Sequence, residues 1–232
     1  IWSIWVCAQT DELLLDSNTI VTTSFGENWF GQIGVDMSLQ NPYGSNFIKH
    51  VFPNGKTYGL DIALGKRLTP EYSLRGKLNW EAGAIKSEHA KWIHTDHGYL
   101  IGTGDFQVNL INVFKGYDPE RKWNAFVYPR AGAFLNLTHG TVVGSPVLGL
   151  GTGASYRLKD RWSVYGDVAY QVVTSVIGNP TGTGTGNNGY FDIDVGIQFE
   201  LSNDRFYKVS QKTHYNKHDV VLNPFWSNWF FK

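Results

Sequence analysis

The chain of 232 residues holds one cysteine, Cys7, which excludes an intramolecular disulfide framework. It has no run of about 18 apolar residues, so no transmembrane helix is available to it. Its 20 Lys and Arg balance its 20 Asp and Glu, and a formal net charge of zero points to no nucleic-acid partner. The chain is nevertheless 42% hydrophobic and 15% aromatic, and that apolar surface has to be placed somewhere. Its 26 glycines suit strongly curved, tilted strands.

What the chain does have is alternation. From Phe191 to Leu201, Phe191, Ile193, Val195, Ile197, Phe199 and Leu201 share one face, while Asp192, Asp194, Gly196, Gln198 and Glu200 share the other. A run of about 11 residues is what a tilted strand needs to cross a bilayer, and soluble strands cluster near 5–6. Three carboxylates on the polar side are far more than the wall of an ordinary core tolerates. An apolar outside with a charged inside is the pattern of an outer-membrane barrel.

Seven further segments repeat it: Trp29–Leu39, Tyr58–Leu64, Tyr72–Ala84, Gly102–Val113, Ala125–Leu137, Val147–Leu158 and Val164–Val172. In Ala125–Leu137 the register follows from Arg130. A lipid-facing Arg at mid-bilayer costs about 2–4 kcal/mol, so Arg130 is placed inward with Val127, Pro129, Ala131, Ala133, Leu135 and Leu137 outward. Pro129 inside a strand without an edge predicts a local bulge. The eight strands make residues 28–201 one unit. The predicted fold is all-β: an eight-stranded antiparallel transmembrane up-and-down β-barrel with long extracellular loops and short periplasmic turns.

Orientation follows from the connections. Short ones fall at Lys66–Glu71, Lys115–Arg121 and Lys159–Arg161, and long ones at Gln40–Lys56, Ile85–Tyr99, Thr138–Pro146 and Thr174–Gly189. Their strict alternation puts both chain ends on the short-turn, periplasmic side. Trp29, Tyr58, Tyr72, Trp123, Tyr156, Trp162 and Phe199 lie near strand ends, as interfacial girdles require. The implied location is the outer membrane of a Gram-negative bacterium, in contact with the lipid bilayer and lipopolysaccharide.

The alternating region resembles the eight-stranded OmpA-type barrel, and several stretches resemble outer-membrane barrel proteins of the Bacteroidota. Asn28-Trp29-Phe30 before a Gly-containing first strand is similar to the opening of that group. The run Asn109-Leu110-Ile111-Asn112-Val113-Phe114-Lys115-Gly116-Tyr117, entering the Asp118-Pro119-Glu120-Arg121 turn, is similar to its fourth strand and second periplasmic turn. The resemblance implies a structural role and carries no catalytic signature. Members of the family commonly add a periplasmic peptidoglycan-binding domain, for which the stretch 202–232 is too short.

Eight strands leave an interior that side chains fill. The inward set contains Asp36, Asp61, Glu81, Asp105, Asp167, Asp192, Asp194 and Glu200 against Arg75, Lys77, Arg130 and Arg157. Buried carboxylates must be paired, hydrogen-bonded or neutralised, so a polar plug is expected with the four cations as hubs. A small cation-selective pore using the acidic excess is an alternative. His89, His94 and His97 share the second long loop, where only Glu88 and Asp96 accompany them. Solvent-exposed loop histidines are therefore expected, with no metal and no cofactor. No Ser or His forms an obvious lipid-facing dyad, so no enzyme is expected.

The ends stand apart from the barrel. Residues 1–8 read as a signal-peptide remnant, with Val6 and Ala8 at the small positions before a cut at Gln9. Residues 9–27 are expected to be a periplasmic lead-in and 202–232 an aromatic-rich periplasmic tail. In that tail Asn228-Trp229-Phe230 repeats Asn28-Trp29-Phe30. Trp92 in the second loop and Phe225, Trp226, Trp229 and Phe230 in the tail are candidate contacts to other outer-membrane proteins. An accessory role in a larger outer-membrane complex, for protein assembly, secretion or nutrient uptake, stays open beside the structural one.

Overall fold

The computed structural model describes residues 20–22, 27–41, 55–86, 92–94, 99–136, 143–174, 187–201, 206–208 and 220–222. In chain order the elements are β1 (Ile20–Thr22), β2 (Trp29–Asn41), β3 (Gly55–Arg67), β4 (Tyr72–Lys86), β5 (Trp92–His94), β6 (Tyr99–Asn109), α1 (Leu110–Lys115), β7 (Trp123–Asn136) and β8 (Val143–Arg157). They continue with β9 (Trp162–Thr174), β10 (Asn187–Glu200), β11 (Tyr207–Lys208) and β12 (Val220–Leu222).

Eight long strands form a closed antiparallel up-and-down barrel in the order β3-β2-β10-β9-β8-β7-β6-β4, sealed by the β3–β4 pairing. The last strand pairs with the first over Gly189–Asn41 to Glu200–Phe30, so no sheet edge remains among these eight. The short β5 adds to β4 at Ala84–Lys86. Strands of 11 to 15 residues, well beyond the usual soluble length, bear out the long alternating segments of the sequence.

Alternation becomes sidedness. Ile33, Val35, Leu60, Ile62, Leu78, Leu150 and Val195 face outward and are exposed, Leu150 by 70%. Their neighbours Gln32, Asp36, Asp61, Lys77 and Asp194 are buried. Arg130 is 3% exposed while Val127, Pro129, Ala131 and Ala133 are exposed, so the charge-based register is the observed one.

Two expectations give way. Pro129 makes no bulge: β7 keeps one register with β6 on both sides of it, from Asp105↔Arg130 to Val108↔Val127, and the ladder lapses only between those pairs. Without an N–H the proline cannot bond β6, but it still pairs with Leu150 of β8. The fourth barrel strand also stops at Asn109 rather than Val113. Asn109 caps α1 by accepting a 3.2 Å hydrogen bond from the Asn112 backbone N–H, and Gly116 ends it at φ 72°. The adjacent apolar pairs Leu110-Ile111 and Val113-Phe114 had already broken the two-residue period, and local capping overrides their β-propensity. The second connection is therefore a helix plus a turn, longer than the sequence suggested.

The interior is crowded because large inward residues lie across from glycines. Gly59 faces Asp36, Gly34 faces Asp61, Gly153 faces Asp167 and Gly151 faces Tyr128. A Cβ at any of these four would overlap that partner's side chain. Gly153→Val is accordingly expected to cost about 1–3 kcal/mol by overpacking against Asp167, read as a lower urea midpoint of the refolded protein.

Three short segments flanking the barrel form a second sheet. β1 lies between β11 and β12 in a three-stranded antiparallel sheet, pairing Val21 with Tyr207 and with Val221. Just before β11, the Phe206 carbonyl accepts a 2.6 Å hydrogen bond from the Tyr117 hydroxyl, and the two rings meet edge to face at 6.1 Å. Residues 9–27 and 202–232, taken from the sequence as a lead-in and a tail, thus contribute to one small sheet tied to the turn after α1.

Candidate functional site

The chemistry of the chain is concentrated inside the barrel. Arg75 of β4, 2% exposed, donates from Nε and Nη2 to Asp105 Oδ2 at 2.8 and 2.6 Å, and from Nη1 to Gln32 Oε1 at 3.1 Å. The same Nη1 reaches Asp167 of β9 on the far wall. Arg130 of β7 approaches Asp105 from the other side, at 2.7 Å to Oδ1 and 3.1 Å to Oδ2, and donates to Asp192 Oδ2 at 3.0 Å. Both guanidinium groups lie over the Tyr128 ring, 4.9 and 5.3 Å from its centroid. One layer of side chains thereby joins β2, β4, β6, β7, β9 and β10. Forked Arg–carboxylate pairs are among the stronger polar contacts available, and here water is nearly excluded.

Toward the loop end the balance turns acidic. Lys77 forms an ion pair with Asp194 and stands 3.9 Å from Asp61 Oδ1 and 4.0 Å from Asp192 Oδ2. Glu81 accepts from the Thr57 hydroxyl and from the Ser38 hydroxyl, the latter at 2.9 Å. Tyr165 donates to Asp61 Oδ1 at 2.8 Å, and Gln171 Nε2 donates to Asp192 Oδ2 at 3.1 Å. Asp36 makes no hydrogen bond through either carboxylate oxygen, although only 4% of it is exposed. Near the loop-end rim Ile101, Phe134, Val147, Val173 and Tyr190 form a buried cluster.

Of the sequence-derived charges, Asp36, Asp61, Arg75, Lys77, Glu81, Asp105, Arg130, Asp167, Asp192 and Asp194 are all buried in the interior. Arg157 and Glu200 are instead at the turn-end rim, because each closes its strand. Arg157 Nη1 donates to the Pro119 carbonyl at 2.6 Å, and Glu200 receives both Arg67 Nη groups, Nη2 at 2.8 Å. Arg67, which the sequence assigned to a turn, is the last residue of β3. The inward phase of β9 put Tyr165 in the interior beside Asp167 and Gln171, as observed, but sequence reasoning passed over Tyr128 and Tyr190 as interior groups. The even positions of Tyr128 and Tyr190 matched the inward phase of their strands, set by Arg130 and Asp192, which was the available signal. Trp92 and His94 lie in β5, described in its backbone alone, while Phe225, Trp226, Trp229, Phe230, His89 and His97 lie outside the described residues.

At the turn end, Tyr72 stacks on Phe106 at 5.7 Å, Trp123 meets Tyr156 at 4.7 Å and Trp162 meets Phe199 at 5.8 Å. These outward rings form a partial belt below the apolar band. The same architecture occurs in Neisserial surface protein A, whose structure matches over 75% of this chain and 97% of its own, at 12% identity and a TM-score of 0.54. What they share is the fold. OprG from Pseudomonas aeruginosa matches over 78% of this chain and 97% of its own, at 9% identity and a TM-score of 0.47. Both are outer-membrane barrels of bacteria. No family model matches the sequence, and no curated protein does.

Proposed function

We propose that this chain is a non-catalytic, structural barrel of a Gram-negative outer membrane, of the OmpA type, with its lumen closed by its own side chains. The observation that carries this reading is the Arg75–Asp105–Arg130 layer with its far-wall partners Asp167 and Asp192. Opening a path for ions would break several buried charge-assisted bonds at once, each worth about 1.5–3 kcal/mol. The exposed apolar band and the aromatic pairs below it support a lipid bilayer and lipopolysaccharide as its surroundings. The Asn109–Arg121 stretch keeps the likeness to Bacteroidota barrels as the finer reading of its source.

The test is conductance of the full chain in a planar bilayer. A silent membrane is expected at moderate voltage. Stepwise cation-selective currents would instead make the acidic interior a pore.

A second reading, that of an accessory subunit in a larger outer-membrane assembly, is favoured by the β1–β11–β12 sheet and its tie to Tyr117. Purification from native membranes in mild detergent tests it. Partners that remain with the whole chain and are lost on removal of residues 202–232 are the expected result for a subunit; a lone 26.1 kDa species is expected otherwise.

A further inference from the structure

The helix α1 carries exposed apolar side chains at the turn end of the barrel. Phe114 is 80% exposed, more open than Leu150 in the apolar band, and Val113 is 44% exposed. A helix turns about 100° per residue, so residues two apart lie on nearly opposite sides and residues four apart on one side. Asn112 is the buried residue of α1 and lines the polar cavity inside the turn-end mouth, with Arg67, Asn124 and Glu200. Its side-chain amide donates to the Pro70 carbonyl at 2.7 Å, and its Oδ1 accepts from Arg121 Nη1 at 2.7 Å. Those bonds fix the Asn112 side toward the mouth and thereby turn the Leu110–Phe114 side away from it.

The depth of this face follows from the register. Asn109, the last residue of β6, is paired with Phe126, and β7 begins three residues nearer the turn at Trp123. The helix therefore starts at the level of Trp123, whose exposed ring meets Tyr156. Such aromatic rings mark headgroup depth in a bilayer. Above it, Phe106 of β6 and Val127 of β7 are exposed on the same outward surface, so the apolar wall runs on into α1 without interruption. Lys115, in the last turn of the helix, is exposed as well. A long cationic side chain at this depth can lay its stem on apolar surface and its ammonium among phosphates.

We propose that the Leu110–Phe114 face of α1, with Val113 and Lys115, docks into the headgroup–acyl boundary of the phospholipid leaflet at the turn end. The inference rests on the outer-membrane reading and extends it from the strands to a connection. A few side chains on a six-residue helix offer far less than the ~1,000 Å² that a stable protein interface buries. A lipid boundary accepts them singly. The bonds of Asn112 to two different turns hold the helix at a fixed angle, so the face is presented without further ordering.

The full chain with Cys7→Ser is labelled with a small fluorophore at Phe114→Cys and refolded into vesicles of phosphatidylethanolamine and phosphatidylglycerol. Parallel samples carry the label at Leu150→Cys, in the apolar band, or at Glu120→Cys, on the exposed turn. At Phe114 the label should be shielded from dissolved iodide and quenched by lipids bearing a nitroxide near the headgroup. Iodide access there equal to that at Glu120, with Leu150 still shielded, overturns the docking and leaves the membrane reading standing. Iodide access at Leu150 as well overturns both. Shielding at Phe114 without quenching by the lipid nitroxide puts a protein surface over α1 and also overturns it. Phe114→Ser answers for the fluorophore's own affinity for lipid, since Ser and Phe have similar helix propensity. It should move the unfolding equilibrium in the same vesicles about tenfold toward the unfolded state, and Phe114→Leu should move it less. A change within about twofold for Phe114→Ser, as at a water-facing site, overturns the proposal.

Discussion

Arg75→Ala is expected to lower the stability of the refolded barrel by about 3–5 kcal/mol, the cost of leaving buried charges without their partner. Arg75 serves Asp105, Asp167 and Gln32 together and lies over Tyr128. Asp105 keeps Arg130, but Asp167 loses its ion-pair partner. Arg75→Lys should recover only part of the loss, since an ammonium cannot span both walls as the guanidinium fork does. Arg75→Met combined with Asp167→Leu should be less damaging than Arg75→Ala alone, because no orphaned charge remains at that end. Urea titrations followed by the mobility difference of folded and boiled barrel give all three values. Strictly additive effects of the two positions would show that Arg75 and Asp167 do not act as a pair.

Leu150→Arg gives the second large effect, and its size reports the surroundings. Leu150 lies mid-way along β8 and is 70% exposed. If that face meets lipid, an Arg there costs about 2–4 kcal/mol, whereas an ordinary water-exposed position changes by about 0.5 kcal/mol or less. Leu158→Arg, at the turn-end rim, should cost about 0–1 kcal/mol. Unfolding in phospholipid vesicles measures both. A flat response along the strand would contradict membrane burial of the apolar band.

Much of the fold was legible because a barrel wall obeys a two-residue period from one rim to the other. Arg130 settled its strand's register through the single choice between lipid and lumen, and Pro129 did not disturb it. Where local chemistry competed, the period misled. Asn109 and Gly116 cap a helix inside what alternation alone extends to Val113. The interior residues were legible as a set of inward positions. Their partners were not, since Arg75 and Asp167 are 92 positions apart in the chain. Tyr128 and Tyr190 were obscured by their type: an aromatic ring suits the lipid face as readily as the lumen, and only the phase of its strand tells them apart.

The sequence by itself determined which residues face in and which face out, and hence a closed antiparallel barrel with a charged interior. Periodicity is a local property that needs no knowledge of the other strands. Tertiary structure alone decided which charges meet, because that depends on strand stagger and on glycines that let Asp36, Asp61 and Asp167 lie against the neighbouring wall. It alone joined β1, β11 and β12 into one sheet, since strands of two or three residues carry no period to read. It alone brought Asp36, Asp192 and Asp194 to a single point at the closing seam, a place that exists only once the last strand has paired with the first.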